Sequence, residues 1–186
     1  MSEARAGDRR VQRTQAALRL AFNQLILSRG YDAISAADIA AHADVGRSTF
    51  YEHFGSKDAI LAQSLGAVLG PLADACVRSD VDPGVTPVIE HFWANRKLAR
   101  ALMGGRARAI MTTMLAQLIE ERLAAAPRSP THGPSLPLPL AAAQLAHGAL
   151  GLIEAWLTGR HGSTARQIAE ALGPDRGIGP APASPI

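Results

Sequence analysis

The stretch SAADIAAHADVGRSTFYEHFGSKDAIL, residues Ser35–Leu61, decides the fold. Ser35 followed by Asp38 has capping-box spacing, although Asp is a weaker partner than Glu or Gln for the reciprocal bond. The helix that starts there runs through Ala43, with Ile39 and Ala40 pointing inward. Asp44-Val45-Gly46 then forms a tight break, and a second short helix covers about Arg47–His53. Gly55 and Ser56 break the chain again, with Ser56 placed to cap a longer helix beginning at Lys57. Two short helices joined by a tight turn and flanked by longer ones suit a helix-turn-helix, whose second helix enters the major groove of DNA. Ile39, Val45, Phe50 and Phe54 supply a small core that locks the helices together. Arg47, Ser48, Thr49, Tyr51 and His53 are left to face outward.

Upstream, the first nine or so residues read as a mobile arm. From Arg9 to about Ser28, Val11, Leu18, Phe22 and Leu25 fall near one helical face. Gly30 is placed to end that helix in a left-handed cap, and Tyr31 and Ile34 of the following connection can pack back on the core. Downstream, Leu61, Leu65, Val68, Leu72 and Cys76 have helical spacing towards Val77, with Pro71 expected to kink or divide the helix. Asp80–Pro87 reads as a turn, and helical patterning resumes near Val88 and reaches Ala126 with an interruption at Gly104-Gly105. Pro127–Pro139 holds five prolines and reads as a non-helical connector. An apolar helix over about Leu140–Leu157 and a short one near Thr164–Leu172 complete the pattern. The expected organisation is a flexible arm at 1–8, a DNA-binding unit at 9–56, a helical regulatory and dimerisation domain at 57–173, and a disordered tail at 174–186.

Composition agrees with an all-α fold. Of 186 residues, 47% are apolar and only 4% aromatic, and β-branched runs are short. The 19 basic and 16 acidic residues leave a net charge of +3, which permits a polyanionic partner without requiring one. Cys76 is the single cysteine, so an intrachain disulfide framework is absent and a cytoplasmic protein is expected. The N-terminus MSEARAGDRRVQRTQ lacks the apolar core of a secretory signal, and no later segment has an uninterrupted apolar run of membrane-spanning length. Cys76 reads as inert core, since no basic cluster beside it in sequence lowers its pKa.

From about Arg9 to Leu61 the chain resembles the DNA-binding domain of the TetR family of transcriptional regulators. The GYDAIS entry, the DIAAHADVG turn, the STFYEHF recognition helix and the GSKDAIL start of the next helix agree in order and distance. The resemblance implies an all-helical homodimer, usually a repressor released from a palindromic operator when its C-terminal domain binds a small molecule. It implies DNA contacts at Ser35, Arg47, Ser48, Thr49, Tyr51, His53 and Lys57. Arg47 then either donates bidentately to guanine or binds phosphate. Tyr51 either touches DNA or packs largely on the first helix, and His53 either binds backbone or is an ordinary surface residue. Lys57 would meet a phosphate at a helix start. The arm residues Arg5, Arg9, Arg10 and Arg13 either reach DNA or form a solvated surface. Asp44 stands where the family mostly has glycine, Gly46 where it has a serine or threonine cap, and Ser48 where glycine or alanine is frequent. These departures bear on the operator sequence and local stability.

Beyond the first helices the resemblance weakens. The helix at Leu140–Leu157 is apolar on several faces and needs cover. Leu145, Ala149, Leu152, Ile153 and Trp156 are candidates for a four-helix interface with a second copy, or for the centre of the monomer core. Phe92, Trp93, Arg96, Met103, Met111, Met114, His147 and Trp156 are candidates for a small-molecule pocket, and equally for an ordinary helical core. Arg96 or Arg106 would suit an acidic effector, or belong to a basic surface. Histidines 42, 53, 91, 132, 147 and 161 lack metal-ligand spacing, and neither a phosphate loop nor a nucleophile motif is present. An enzyme is therefore not expected, nor a metal or cofactor. A helical interaction module that ignores DNA would leave the Arg47–Lys57 pattern without a task. No membrane partner is expected.

Overall fold

The computed structural model describes residues 2–78, 84–125, 136–160 and 162–173, with side chains from Arg9 onward. The described residues are all helical or connecting: α1 (Ser2–Arg29), α2 (Ala36–His42), α3 (Arg47–Phe54), α4 (Lys57–Val77), α5 (Val85–Ala94), α6 (Arg96–Leu102), α7 (Gly105–Ala125), α8 (Leu138–Leu157) and α9 (Ala165–Ala171).

Helix α1 packs on α2 and α6, α2 on α3, and α3 on the start of α4. Helix α4 then runs into a second bundle, where α7 lies along both α4 and α8, and α9 packs chiefly against α5. The buried side chains form one continuous apolar cluster from Leu18 to Leu172. Ion pairs brace the outside of α7: Arg122 to Asp74 of α4 at 2.5 Å, and Arg108 to Glu154 of α8 at 2.5 Å.

Local sequence explains most boundaries. Gly30 adopts φ 81 and its N–H donates to the Ile26 carbonyl, which ends α1 in the left-handed geometry that glycine tolerates. Ser56 caps α4 by accepting from the Ala59 N–H at 3.0 Å, and Thr164 with Gln167 forms a full capping box for α9. The break at Gly104-Gly105 separates α6 from α7. Gly105 has φ 55, and a Cβ there would collide with the Asp32 carboxylate.

Four expectations need correction. Helix α1 begins at Ser2, ahead of the expected start at Arg9, so the backbone read as an arm continues the helix. Pro71 lies inside α4, which remains one helix; Leu65, Leu69, Leu72 and Cys76 are buried on either side of it. Helix α5 begins at Val85, placing Pro87 in a first turn where a missing N–H costs no helical bond. Asn95 adds a break between α5 and α6 that the periodicity does not show. Most of the connector at 127–139 and the tail at 174–186 lie outside the described residues.

Helices α4 and α8 are long and apolar enough to cross a membrane by length and composition, with mean hydropathies of 1.5 and 1.2. Charged or polar residues interrupt both. Both pack along α7, and 44% of the apolar window of α4 and 39% of that of α8 are buried within the described residues.

Candidate nucleic-acid interface

The capping box expected at α2 is present. Ser35 Oγ accepts from the Asp38 N–H at 3.2 Å, and Asp38 Oδ2 accepts from the Ser35 N–H at 2.8 Å. The Ser35 hydroxyl lies 2.5 Å from the same carboxylate, which these bonds hold well below the usual carboxylate pKa range. Arg29 adds a salt bridge to Asp38 at 3.1 Å. Ile39 and Ala40 are buried, as their spacing implies.

The turn that follows uses Asp44 at φ 53, the only non-glycine residue with positive φ among those described. An aspartate accepts this conformation at a cost that glycine avoids. Gly46 caps α3 with no side-chain hydrogen bond. Helix α3 therefore lacks the oxygen cap that α2, α4 and α9 possess. Phe50 and Phe54 are buried, with ring centroids 6.1 Å apart, and fix the inner face of α3. Arg19 of α1 stacks over Phe54 at 5.7 Å.

The outer face of α3 is correspondingly free. Arg47 and Ser48 are exposed and make no hydrogen bond or ion pair to the described residues. Thr49 and His53 are half-buried, and they line an open cleft of about 340 Å³ with Arg10 and Thr14 of α1. Tyr51 is 56% exposed, its ring standing edge-on to Phe50 at 5.5 Å. Of the outward-facing candidates, Arg47, Ser48 and Tyr51 are the ones fully presented. Arg10, from the arginine-rich start of α1, joins this face through the cleft.

Lys57 is placed differently from the sequence expectation. Its Nζ donates to the carbonyls of Tyr31 and Ile34, both at 2.8 Å, and sits 4.4 Å from the centroid of the Tyr31 ring. The ammonium is turned into the α1–α2 connection, where it holds the Ile34 carbonyl and shares the Tyr31 carbonyl with the Ile34 N–H at 3.5 Å. Next to it, the Tyr31 hydroxyl donates to Asp58 at 2.5 Å. Burial and the Asp58 carboxylate raise the Tyr31 pKa, so the phenol stays protonated and keeps donating.

Asp58 also accepts a two-pronged contact from Arg106, Nη2 at 2.6 Å and Nε at 3.1 Å. The Arg106 and Tyr31 hydrogen bonds hold the Asp58 carboxyl below its ordinary range. The backbone N–H of Arg106 faces Asp32 at 3.4 Å. Tyr31, Asp32, Asp58 and Arg106 thus join the α1–α2 connection, the start of α4 and the start of α7. Arg106, considered above for an acidic effector, is engaged here instead. Sequence gives no signal for this junction, because its members are far apart in the chain.

The pocket candidates do not converge. Phe92 lines a cavity between α1, α4, α5 and α6, and the other seven are absent from its wall. Trp93 stacks on Trp156 at 4.8 Å, with Arg96 over Trp93 at 5.3 Å, on the outside of α5. Met103 and Met111 are buried, Met114 is half-buried, and His147 is exposed with Nδ1 2.8 Å from the Ala143 carbonyl oxygen. Among the interface candidates, Ala149, Ile153 and Trp156 are buried by their own chain, while Leu145 and Leu152 are half-buried. Helix α8 is apolar on several faces, and its largest side chains go to the chain's own core. Cys76 is also core, and burial pushes its thiol pKa up to about 12. No three His, Cys, Asp or Glu side chains cluster as metal ligands among the described residues.

Residues 17–63, which span α2, α3 and the turn between them, match the sequence model of bacterial regulatory proteins, tetR family. The match lies within the N-terminal unit, from the later part of α1 to the start of α4. Solved TetR-type structures share the fold over most of the chain. A TetR transcriptional regulator from Streptococcus agalactiae 2603V is 22% identical, with 91% of this chain and 96% of that one covered and a TM-score of 0.61. NalD, the secondary repressor of the MexAB-OprM multidrug efflux pump in Pseudomonas aeruginosa, is 23% identical, with coverages of 87% and 93% and a TM-score of 0.55. The fatty acid degradation regulator FadR from Bacillus halodurans is 19% identical, with coverages of 86% and 94% and a TM-score of 0.51. At these identities the likeness is one of fold. No curated protein matches the chain significantly.

Proposed function

We propose that the protein is a homodimeric, cytoplasmic repressor that binds a palindromic operator and is released from it by a small molecule. The observation that carries the DNA side of this reading is the outer face of α3, where Arg47 and Ser48 are exposed and unengaged on a helix whose inner face is locked by Phe50 and Phe54. In this reading Arg47, Ser48 and Thr49 meet base edges, and Ser35, Tyr51 and His53 meet phosphates. Lys57 organises the α1–α2 connection, and the free N–H groups at the start of α4 take the phosphate contact first assigned to its ammonium. Residues 9–56 act as the DNA-binding unit and 57–173 as the regulatory and dimerisation domain.

A second copy is favoured by the exposed side of α8, where Leu140 is 58% exposed and Gln144, Gly148 and Ala155 follow at helical spacing. Small residues there let a partner helix approach closely. Leu145 and Leu152 would complete the contact from the flanks, whereas Ala149, Ile153 and Trp156 support it from within. A palindromic site is the natural match to a two-fold dimer.

Fluorescence anisotropy with a selected palindromic duplex tests this reading. Expected are two chains per site, affinity that falls steeply with salt, and strong preference over a scrambled duplex. Equal affinity for both duplexes, or no binding at low salt, contradicts it.

A further inference from the structure

We propose that the cavity between α1, α4, α5 and α6 binds a neutral, single-ring-sized molecule, mostly apolar and carrying one hydrogen-bonding group, which is the chemistry of a phenol. The proposal rests on the ligand-responsive reading above and names the chemistry of its effector. The cavity measures about 160 Å³, and Phe22, Leu61, Leu65, Phe92 and Ala99 form its buried walls. It opens to solvent beside the exposed His91 and Asn95, and a closed apolar cavity of about this size holds one benzene-sized molecule.

Three features of the wall define the occupant. No Asp, Glu, Lys or Arg lines the cavity, and His91 stands at its exposed rim beside Asn95, so a carboxylate or ammonium among the apolar walls would lose hydration with no counter-charge next to it. Asn23 is half-buried on the wall, and its side-chain amide makes no hydrogen bond to the described residues, leaving both a donor and an acceptor for a hydroxyl. Asn95, also on the wall, already donates from Nδ2 to the His91 carbonyl at 3.0 Å. Asn23 is therefore the better-placed polar anchor.

The position of the cavity gives such a ligand leverage. Phe22 and Asn23 belong to α1, whereas Phe92 and Ala99 belong to α5 and α6. An occupant touches both sides of the junction. Leu102, on the same wall, ends α6, and the turn after it leads to Arg106 and its hold on Asp58. A ligand shifts an orientation only by binding one arrangement better than the other, and a cavity walled by both units changes shape when they move.

Calorimetric titration of the full chain with phenol, and with benzoate as its charged counterpart, tests the proposal. Ala99→Leu fills the cavity and Asn23→Leu removes the polar anchor; operator affinity is measured on the same samples by anisotropy. Phenol should saturate one site per chain, with benzoate about tenfold weaker or worse. Ala99→Leu should weaken phenol by about tenfold or more, and Asn23→Leu by about three- to tenfold. Non-saturable phenol binding, equal binding of benzoate, or unchanged phenol affinity in the variants overturns the proposal. If Ala99→Leu does not fold, Asn23→Leu decides, and unchanged affinity there overturns it. Phenol binding as expected with operator affinity unmoved upholds the cavity site and defeats the release reading. A chain that binds operator normally but not phenol overturns the cavity site alone.

Discussion

The two ends of this chain spend their apolar residues differently. In α2 and α3 the core is small, made chiefly of Ile39, Ala40, Phe50 and Phe54, and the remaining faces are short, polar and free. In α4, α7 and α8 the apolar residues lie along three long helices, and the outside is tied by Arg122–Asp74 and Arg108–Glu154. The first arrangement exposes chemistry at fixed spacing, so its function shows in a short motif. The second distributes its contacts over elements remote in sequence. The resemblance to a DNA-binding family is consequently legible from residues 35–61, and the chemistry of an effector is not.

The largest contrast should appear on truncating a core side chain. Leu115 is fully buried in α7, which packs on both α4 and α8. Leu115→Ala should cost about 2–5 kcal/mol in urea unfolding followed by circular dichroism. Because the buried cluster is continuous from Leu18 to Leu172, one transition is expected; loss of α7 and α8 while α1–α3 stay folded would show that the two regions are energetically separate.

Lys57 sharpens the comparison from the other side. Lys57→Met keeps most of the stem and removes the ammonium from the Tyr31 and Ile34 carbonyls. A loss of about 1.5–3 kcal/mol is expected, measured by thermal unfolding without DNA. Unchanged stability together with weakened operator binding would return Lys57 to the role of a phosphate contact.

The junction between the regions should report pH. Asp58 has its pKa lowered by Arg106 and Tyr31, so its contribution to stability is present above the unfolded carboxylate value of about 4 and is lost as pH falls through the folded value. Asp58→Asn should lower the unfolding temperature at pH 7, with the gap to the natural chain closing below about pH 4. Arg106 is 65% exposed at the side chain, so the effect is modest. A gap of constant size across this range would mean that the carboxylate charge contributes nothing.

The smallest effect belongs to the turn. Asp44→Gly should raise stability by up to about 1 kcal/mol by relieving φ 53, partly offset by the greater freedom of the unfolded chain. A loss of stability in the same unfolding assay would show that the Asp44 side chain supports the turn.

What was legible in the sequence follows from range. Ser35 with Asp38, Gly30 and Ser56 act on neighbours within a helical turn, and the structure has them in those roles. Pro71 does not divide α4, which keeps buried side chains on both sides of it. Lys57 was read by its charge, yet its partners lie in a connection more than twenty positions away. The cavity wall was still less visible, since a pocket-lining Leu and a core Leu have identical sequence signatures; only Phe92 of the expected pocket lies on it.

The central claim is that the free outer face of α3, with Arg47 at its start, reads the operator. Selecting duplexes from a random library with the full chain and with Arg47→Ala tests it most directly. A palindromic consensus is expected for the natural chain, and for the variant a relaxed base preference at symmetric positions with affinity lowered by about 1–3 kcal/mol. Identical consensus and affinity for the two chains would contradict it.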